Sequence, residues 1–265
     1  MNKYKDKYYT NQAVVNNIIK IIKTKIKINN NDLCIEPSAG NGSFIDPIKS
    51  LFNHYKLYDL YPEHKDIIKQ NFLTLNTDNF IKQFNNIHMI GNPPFGRKSS
   101  LVIKFIKKSC KFCNSFSFIL PKSFKKQSMQ RCIPLNFHLI YSYNLPSDSF
   151  ILNNKPYDVN CVFQIWIKKD KPRKIPKKLF PNHYKFVPKT ENPDISIRRV
   201  GYNAGKVDFN YKDKSIQSHY FIKFDSFNSN LLKKIKNINF HTKHFTLGPK
   251  SISKQELIKK LNSIS

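Results

Sequence analysis

The ten residues IEPSAGNGSF, 35–44, constrain this chain more than any other stretch. Just before the break, DLCIEP (32–37) is a short apolar run ending at a turn signal, which reads as a buried strand. A Gly-x-Gly turn follows. GSFIDPIKSLF then begins a helix whose buried face carries Phe44, Ile45, Ile48, Leu51 and Phe52. A strand that turns through glycine into a helix opens a β-α-β unit and brings free helix N–H groups close to a ligand. The glycines carry weight because the chain has only 7 in 265 residues. Its richness in Lys, Asn, Ile, Phe and Tyr is what an AT-rich genome produces. Glycines that survive such pressure sit where no side chain is tolerated. Six of the seven come as close pairs: Gly40 with Gly42, Gly91 with Gly96, and Gly201 with Gly205.

Further strands follow the first. KLYDL (56–60), HMIGN (88–92), SFSFIL (115–120), FHLIYSYNL (137–145) and CVFQIWI (161–167) alternate with helical stretches. Residues 11–27 read as an amphipathic helix with Val14, Val15, Ile18, Ile19 and Ile22 on one face. The expected class is α/β with a mainly parallel sheet. A Lys-rich stretch with four prolines, 168–189, marks a boundary. It separates a domain over 1–170 from a linker and small α+β extension over 171–265. In that extension DISIRRVGYNAGKV and SHYFIKF read as strands. SKQELIKKL reads as a final helix with Ser253 and Glu256 in capping-box register.

The formal net charge is +29, from 46 Lys+Arg against 17 Asp+Glu. Codon bias accounts for many lysines but not for the shortage of acids. The shortage is local: residues 79–147 hold 11 basic side chains and no carboxylate. Such a stretch suits a polyanion. Lys98, Lys104, Lys122 and Lys125 are its candidate nucleic-acid contacts. Arg198 and Arg199, beside Gly201 and Gly205, are candidates in the extension, where a structural hairpin is an equal reading. No apolar run approaches the ~18 residues of a membrane span, and MNKYKDKYYTNQ lacks the apolar core of a secretory signal. Five irregularly spaced cysteines suit a reducing compartment, cytoplasmic or nuclear. Cys110 and Cys113 form a lone Cys-x-x-Cys without further ligands, so no metal is expected.

The chemistry of the glycine loop depends on Glu36, which puts a carboxylate beside it. A dinucleotide or nucleoside triphosphate would be repelled there, and no Gly-Lys-Ser/Thr follows. S-adenosylmethionine, with a sulfonium and an amino group, fits better. Asp59, at the end of the second strand, is placed to accept from both ribose hydroxyls. Asn71 and Phe72 could hold the adenine. In HMIGNPPFG (88–96) two prolines fix the turn and leave the Asn92 side-chain carbonyl and the Pro93 backbone carbonyl as acceptors for an exocyclic amino group. Phe95 offers a stacking face.

The order YYTNQAVVNNII, EPSAGNGSF, YDL, NFL, GNPPFG resembles the amino-methyltransferases with an Asn-Pro-Pro-aromatic motif, in the TaqI-like order, over residues 8–167. The resemblance implies a class I, Rossmann-like seven-stranded sheet and transfer of a methyl group from S-adenosylmethionine to adenine N6 in DNA or RNA, DNA being slightly favoured. It implies that Tyr9, Thr10, Glu36, Ser38, Gly40, Gly42, Phe44, Asp59, Asn71 and Phe72 hold the cofactor. Asn92, Pro93, Pro94 and Phe95 would form the catalytic pocket. Asn71 departs from the family, which usually has Asp there. Two alternatives remain open: an idle family member serving as a nucleic-acid-binding scaffold subunit, and a protein glutamine methyltransferase.

Overall fold

The computed structural model describes residues 8–152, 155–246 and 248–264. The chain divides after Lys174 into two compact units. In the first, the elements run β1 (Tyr9–Thr10), α1 (Gln12–Lys25), β2 (Asp32–Glu36), α2 (Ile45–Lys49), β3 (His54–Asp59), β4 (Ile68–Lys69), α3 (Asp78–Gln83), β5 (Asn86–Gly91), α4 (Ser100–Ser109), β6 (Ser115–Pro121), α5 (Gln127–Gln130), β7 (Phe137–Asn144), β8 (Phe150–Leu152), β9 (Lys155–Tyr157) and β10 (Cys161–Lys168).

Seven strands form one mixed, mostly parallel sheet in the order β4-β3-β2-β5-β6-β10-β7. The pairs from β4 to β6 are parallel. β10 alone runs against both its neighbours. Alternation sorts the side chains of each strand between two layers. Cys34, Leu57, Ile90, Ile119 and Phe163 face α1 and α2, where Val15, Ile18, Ile22 and Ile48 meet them. Leu33, Ile35, Met89, Phe116, Phe118 and Trp166 face α4 and pack on Val102, Phe105 and Ile106. Each fully buried aliphatic or aromatic side chain contributes about 1.5–3 kcal/mol. With helices on both faces, β6 is buried at every position, while β7 at the sheet edge is mostly partly exposed. α1 starts where expected, with Asn11 Oδ1 accepting from Ala13 N at 3.0 Å. α2 is shorter than its apolar pattern. It closes at Lys49, and Leu51 is only half-buried.

The strand order reverses beside β2. The chain leaves β2 towards β3 on one side and returns to β5 on the other. Such a switch point opens a crevice beyond the carboxyl ends of the two strands. A separate small sheet, β1-β8-β9, pairs Tyr9 with Ile151 and Thr10 with Phe150. Tyr8 stacks on Tyr157 with ring centroids 5.2 Å apart.

The second unit contains β11 (Tyr184–Phe186), β12 (Ile195–Arg198), β13 (Val207–Asp208), β14 (His219–Phe224), α6 (Ser229–Lys236) and α7 (Lys254–Leu261). Its antiparallel sheet has the order β11-β14-β12-β13. Ile195, Ile197 and Ile222 pack on Leu231, Ile235, Leu257 and Leu261. The capping box of α7 is present, with Ser253 Oγ accepting from Glu256 N and Glu256 Oε2 accepting from Ser253 N. Among the described residues no helix is long and apolar enough to cross a membrane.

Candidate active site

A cavity of about 570 Å³ lies at the crevice between β2 and β5. Tyr9, Thr10, Glu36, Ser38, Gly40, Phe44, Asp59, Asn71, Phe72 and Asn92 to Phe95 all line it. Segments up to 86 residues apart in sequence thus converge on one space. Gly42 lies behind the loop. It takes φ +90°, and a Cβ there would come within 2.6 Å of Ile45 Cδ1. It shapes the cradle from the protein side.

Asp59 ties the loop to the end of β3. Its Oδ2 accepts from Gly40 N at 2.8 Å and its Oδ1 accepts from Tyr61 N at 2.7 Å. Glu36 is different. It is buried, and its Oε2 has no hydrogen-bond partner. Burial, and then the charge of Asp59, push its carboxyl up to about 8. A buried polar atom without a partner costs about 1–3 kcal/mol, more when charged. Its placement on a cavity wall makes it a receptor for a donor or a cation. Among the described residues no Lys or Arg lines the cavity, although the chain has 46 of them.

The Asn92 amide has a fixed orientation. Its Nδ2 donates to the Tyr8 carbonyl at 3.3 Å and approaches Thr10 Oγ1 at 3.4 Å. A backbone carbonyl can only accept, so the nitrogen must face Tyr8 and the oxygen must face away. Among the described residues no protein donor reaches Asn92 Oδ1 or the Pro93 carbonyl. Ser38 Oγ donates to the Asn92 carbonyl at 3.3 Å. The Phe95 carbonyl accepts from Leu101 N at 3.1 Å, which fixes this backbone on the first turn of α4. Next to it, Lys98 and Ser99 hold positive φ, 53° and 62°, in a turn that side chains rarely adopt.

Asn71 Oδ1 accepts from Leu73 N at 3.0 Å and keeps one lone pair. Phe72 is buried and stacks on Phe105 at 5.3 Å. The basic candidates do not line the cavity. Lys98 and Lys104 are exposed, Lys122 is half-buried, and Lys125 Nζ donates to Asn144 Oδ1 at 3.0 Å. Arg198 and Arg199 belong to the second unit.

Sequence reasoning missed Tyr8 and Glu63. Tyr9 Oη lies 2.7 Å from both Glu63 carboxylate oxygens, and Glu63 N donates to the Gly40 carbonyl at 3.0 Å. Burial, with Glu63 second, raises the Tyr9 hydroxyl far above its usual range. The Tyr9 ring lies over Gly40, 3.5 Å from where a Cβ would stand. Nothing in the spacing of the sequence marks Glu63.

No protein-family model and no curated protein matches the chain. Solved structures similar to it include a protein from Listeria monocytogenes assigned to the class I S-adenosylmethionine-dependent methyltransferases. That pair shares 14% identity over 64% of this chain and 63% of the other, with a TM-score of 0.47. The 23S rRNA methyltransferase ErmE is similar at 12% identity over 63% of this chain and 71% of the other, TM-score 0.45. The methyltransferase subunit of a type I restriction-modification system from Streptococcus thermophilus is similar at 14% identity over 63% and 46%, TM-score 0.45. The chain thus spans less than two thirds of the first and third of these. The likeness is one of fold.

Proposed function

We propose that the chain transfers a methyl group from S-adenosylmethionine to the N6 amino group of adenine in nucleic acid, DNA being favoured by the motif order. The observation that carries this reading is the pairing of an unpartnered buried carboxylate with two open carbonyl acceptors in one cavity. Glu36 would meet the positive charge of the cofactor, and Asp59 would take its ribose. Asn71 and Phe72 would hold its adenine, while Tyr9, Thr10, Ser38, Gly40 and Phe44 complete the wall. When bound, the cofactor supplies an electrophilic methyl group on a positively charged sulfur.

The remaining chemistry is positional. The base leaves the stack to enter the pocket. Asn92 Oδ1 and the Pro93 carbonyl accept the two hydrogens of its amino group and orient the lone pair. Phe95 stacks on its ring. Two acceptors placed in advance stabilise the positive charge that develops on that nitrogen, which then loses one proton to solvent to give the neutral methylated amine. The domain over 1–170 is the catalytic one in this reading, and residues 171–265 add nucleic-acid contacts. Lys98, Lys104, Lys122 and Lys125 neutralise phosphates.

The test is incubation with methyl-labelled cofactor and separate DNA, RNA and protein pools, followed by nucleoside mass spectrometry. N6-methyladenine in a nucleic-acid pool is the expected product. Asn92→Ala should abolish its formation while cofactor affinity, read by calorimetry, stays within about threefold. Label found only in protein, or an Asn92→Ala variant of unchanged turnover, overturns the reading.

A further inference from the structure

Arg198 and Arg199 read in sequence equally as nucleic-acid contacts or as part of a structural hairpin, and both guanidinium groups engage backbone. Arg198 Nε donates to the Val200 carbonyl at 3.1 Å. Arg199 Nε and Nη2 donate to the Gln217 carbonyl at 2.9 and 2.7 Å. They brace the loop between β12 and β13. Gly201 N donates to the Lys250 carbonyl at 2.9 Å, Gly205 N to the Arg198 carbonyl at 2.7 Å, and Ile252 N to the Arg199 carbonyl at 2.8 Å. Gly205, at φ +91°, lies so close to Phe240 that a Cβ would come within 2.9 Å of its ring. A loop tied this firmly carries Tyr202, a residue that is 84% exposed. Lys250 Nζ stands 4.5 Å from the ring centroid.

Tyr202 adds nothing to the core of the second unit, so its rigid presentation calls for an external partner. The charge of this part of the chain suits an anionic one. From Ile175 onward the chain carries 18 Lys+Arg against 6 Asp+Glu. We propose that Tyr202 and Lys250 form a stacking platform for an unpaired base of a single-stranded nucleic acid. The base stacks on the ring face opposite Lys250, and the ammonium group meets an adjacent phosphate. Every base has a π-face, so the platform is indifferent to sequence. A duplex keeps its bases stacked on each other and offers no such face. The inference rests on the nucleic-acid partner proposed above but not on methyl transfer.

The test uses the full chain without cofactor and short single strands of RNA and of DNA carrying one 5-iodouracil. Photo-crosslinking followed by peptide mapping should place the adduct on Tyr202. In fluorescence anisotropy at fixed salt, Tyr202→Ala should weaken single-strand binding about fivefold or more. Tyr202→Phe, which keeps the ring, should stay within about twofold, and binding of the matching duplex should not change. The RNA and DNA arms report which strand is preferred. A Tyr202→Ala variant that binds single strands as the parent does, or that loses duplex binding equally, overturns the platform. Strands that crosslink at Tyr202 but never accept a methyl group overturn only the methylation reading.

Discussion

Asp32 and Glu36 stand on the same face of one strand, at opposite ends of β2, and both are buried. Asp32 is surrounded by donors. Asn29 N at 2.8 Å, Asn29 Nδ2 at 3.2 Å, Asn86 Nδ2 at 2.9 Å and His88 Nε2 at 3.3 Å converge on its carboxylate. Burial alone would raise it, but the bonds from Asn29, Asn86 and His88 outweigh burial and hold it below the usual range. His88 is itself lowered by burial in spite of Asp32 and holds Ser115 Oγ at 2.7 Å with its other nitrogen. Four residues further on, Glu36 has an unpartnered oxygen and a carboxyl raised to about 8. Asp32 finds its partners within the fold, whereas Glu36 has an oxygen that the fold leaves without one. The folded chain satisfies Asp32 fully and leaves Glu36 incomplete on the wall of a cavity.

The largest effect expected from this contrast lies at the satisfied end. Asp32→Ala strands the Asn29, Asn86 and His88 donors in the core and should cost about 3–5 kcal/mol of stability. Urea unfolding followed through Trp166, the one tryptophan, measures it. Cofactor affinity of the protein that remains folded should change less than about threefold. A loss below about 1 kcal/mol would break the comparison at this end. At the other end, Glu36→Gln should weaken S-adenosylmethionine about 100-fold, equivalent to about 2.7 kcal/mol, with a Tm that holds or rises. A calorimetric Kd within threefold of the parent, or a Tm that drops as it does for Asp32→Ala, would show that Glu36 is structural after all.

The two carboxylates should also give pH slopes of opposite sign. Glu36 is raised on folding. The folded state therefore holds a proton that the unfolded state has released, and stability falls as pH rises from about 4.5 to about 8. Asp32 is lowered. Its contribution is present above its unfolded value, near 3.8, and is lost as pH falls through the folded value. Glu36→Gln should flatten the decline between pH 5 and 8, and Asp32→Asn the acid limb. If the ionised Glu36 meets the positive charge of the cofactor, as proposed, affinity should weaken by up to about tenfold for each pH unit below 8. A Glu36→Gln variant that keeps the same pH profile would assign the slope to another group.

Much of this was legible in the chain, and the reasons differ by element. β2, β5 and β6 read correctly because they are buried on both faces, which forces continuous apolar runs. The glycine loop stood out because the background is poor in glycine. β1, β8 and β9, two or three residues each, leave no periodicity to read. The reversal of β10 was equally hidden, since strand direction depends on the connection and not on the strand's own residues. For Arg198 and Arg199, which read equally as nucleic-acid contacts or as part of a structural hairpin, composition shows the charge but not the backbone carbonyls that the guanidinium groups engage. Asn92 was found from its prolines, but what fixes its amide is the carbonyl of Tyr8, 84 residues away.

The smallest expected effect tests a contact across the glycine loop that has no signature in sequence. Tyr9 and Glu63 reach across the glycine loop, with the Tyr9 ring over Gly40 and Glu63 N bonded to the Gly40 carbonyl. If this latch holds the cradle shut, Tyr9→Phe keeps the ring and loses only the hydroxyl, which costs about 1 kcal/mol, or about fivefold in affinity. The loss should fall on cofactor dissociation, measured by stopped-flow competition, because a latch that opens more often releases ligand sooner. Glu63→Gln should lose at least as much, and the double variant should be no worse than Glu63→Gln alone, since both changes remove the Tyr9–Glu63 bond. Additive losses would mean that Tyr9 and Glu63 act on the cofactor separately. Glu36 would then hold the ligand in an open cradle, and the incomplete end of β2 would be incomplete in shape as well as in charge.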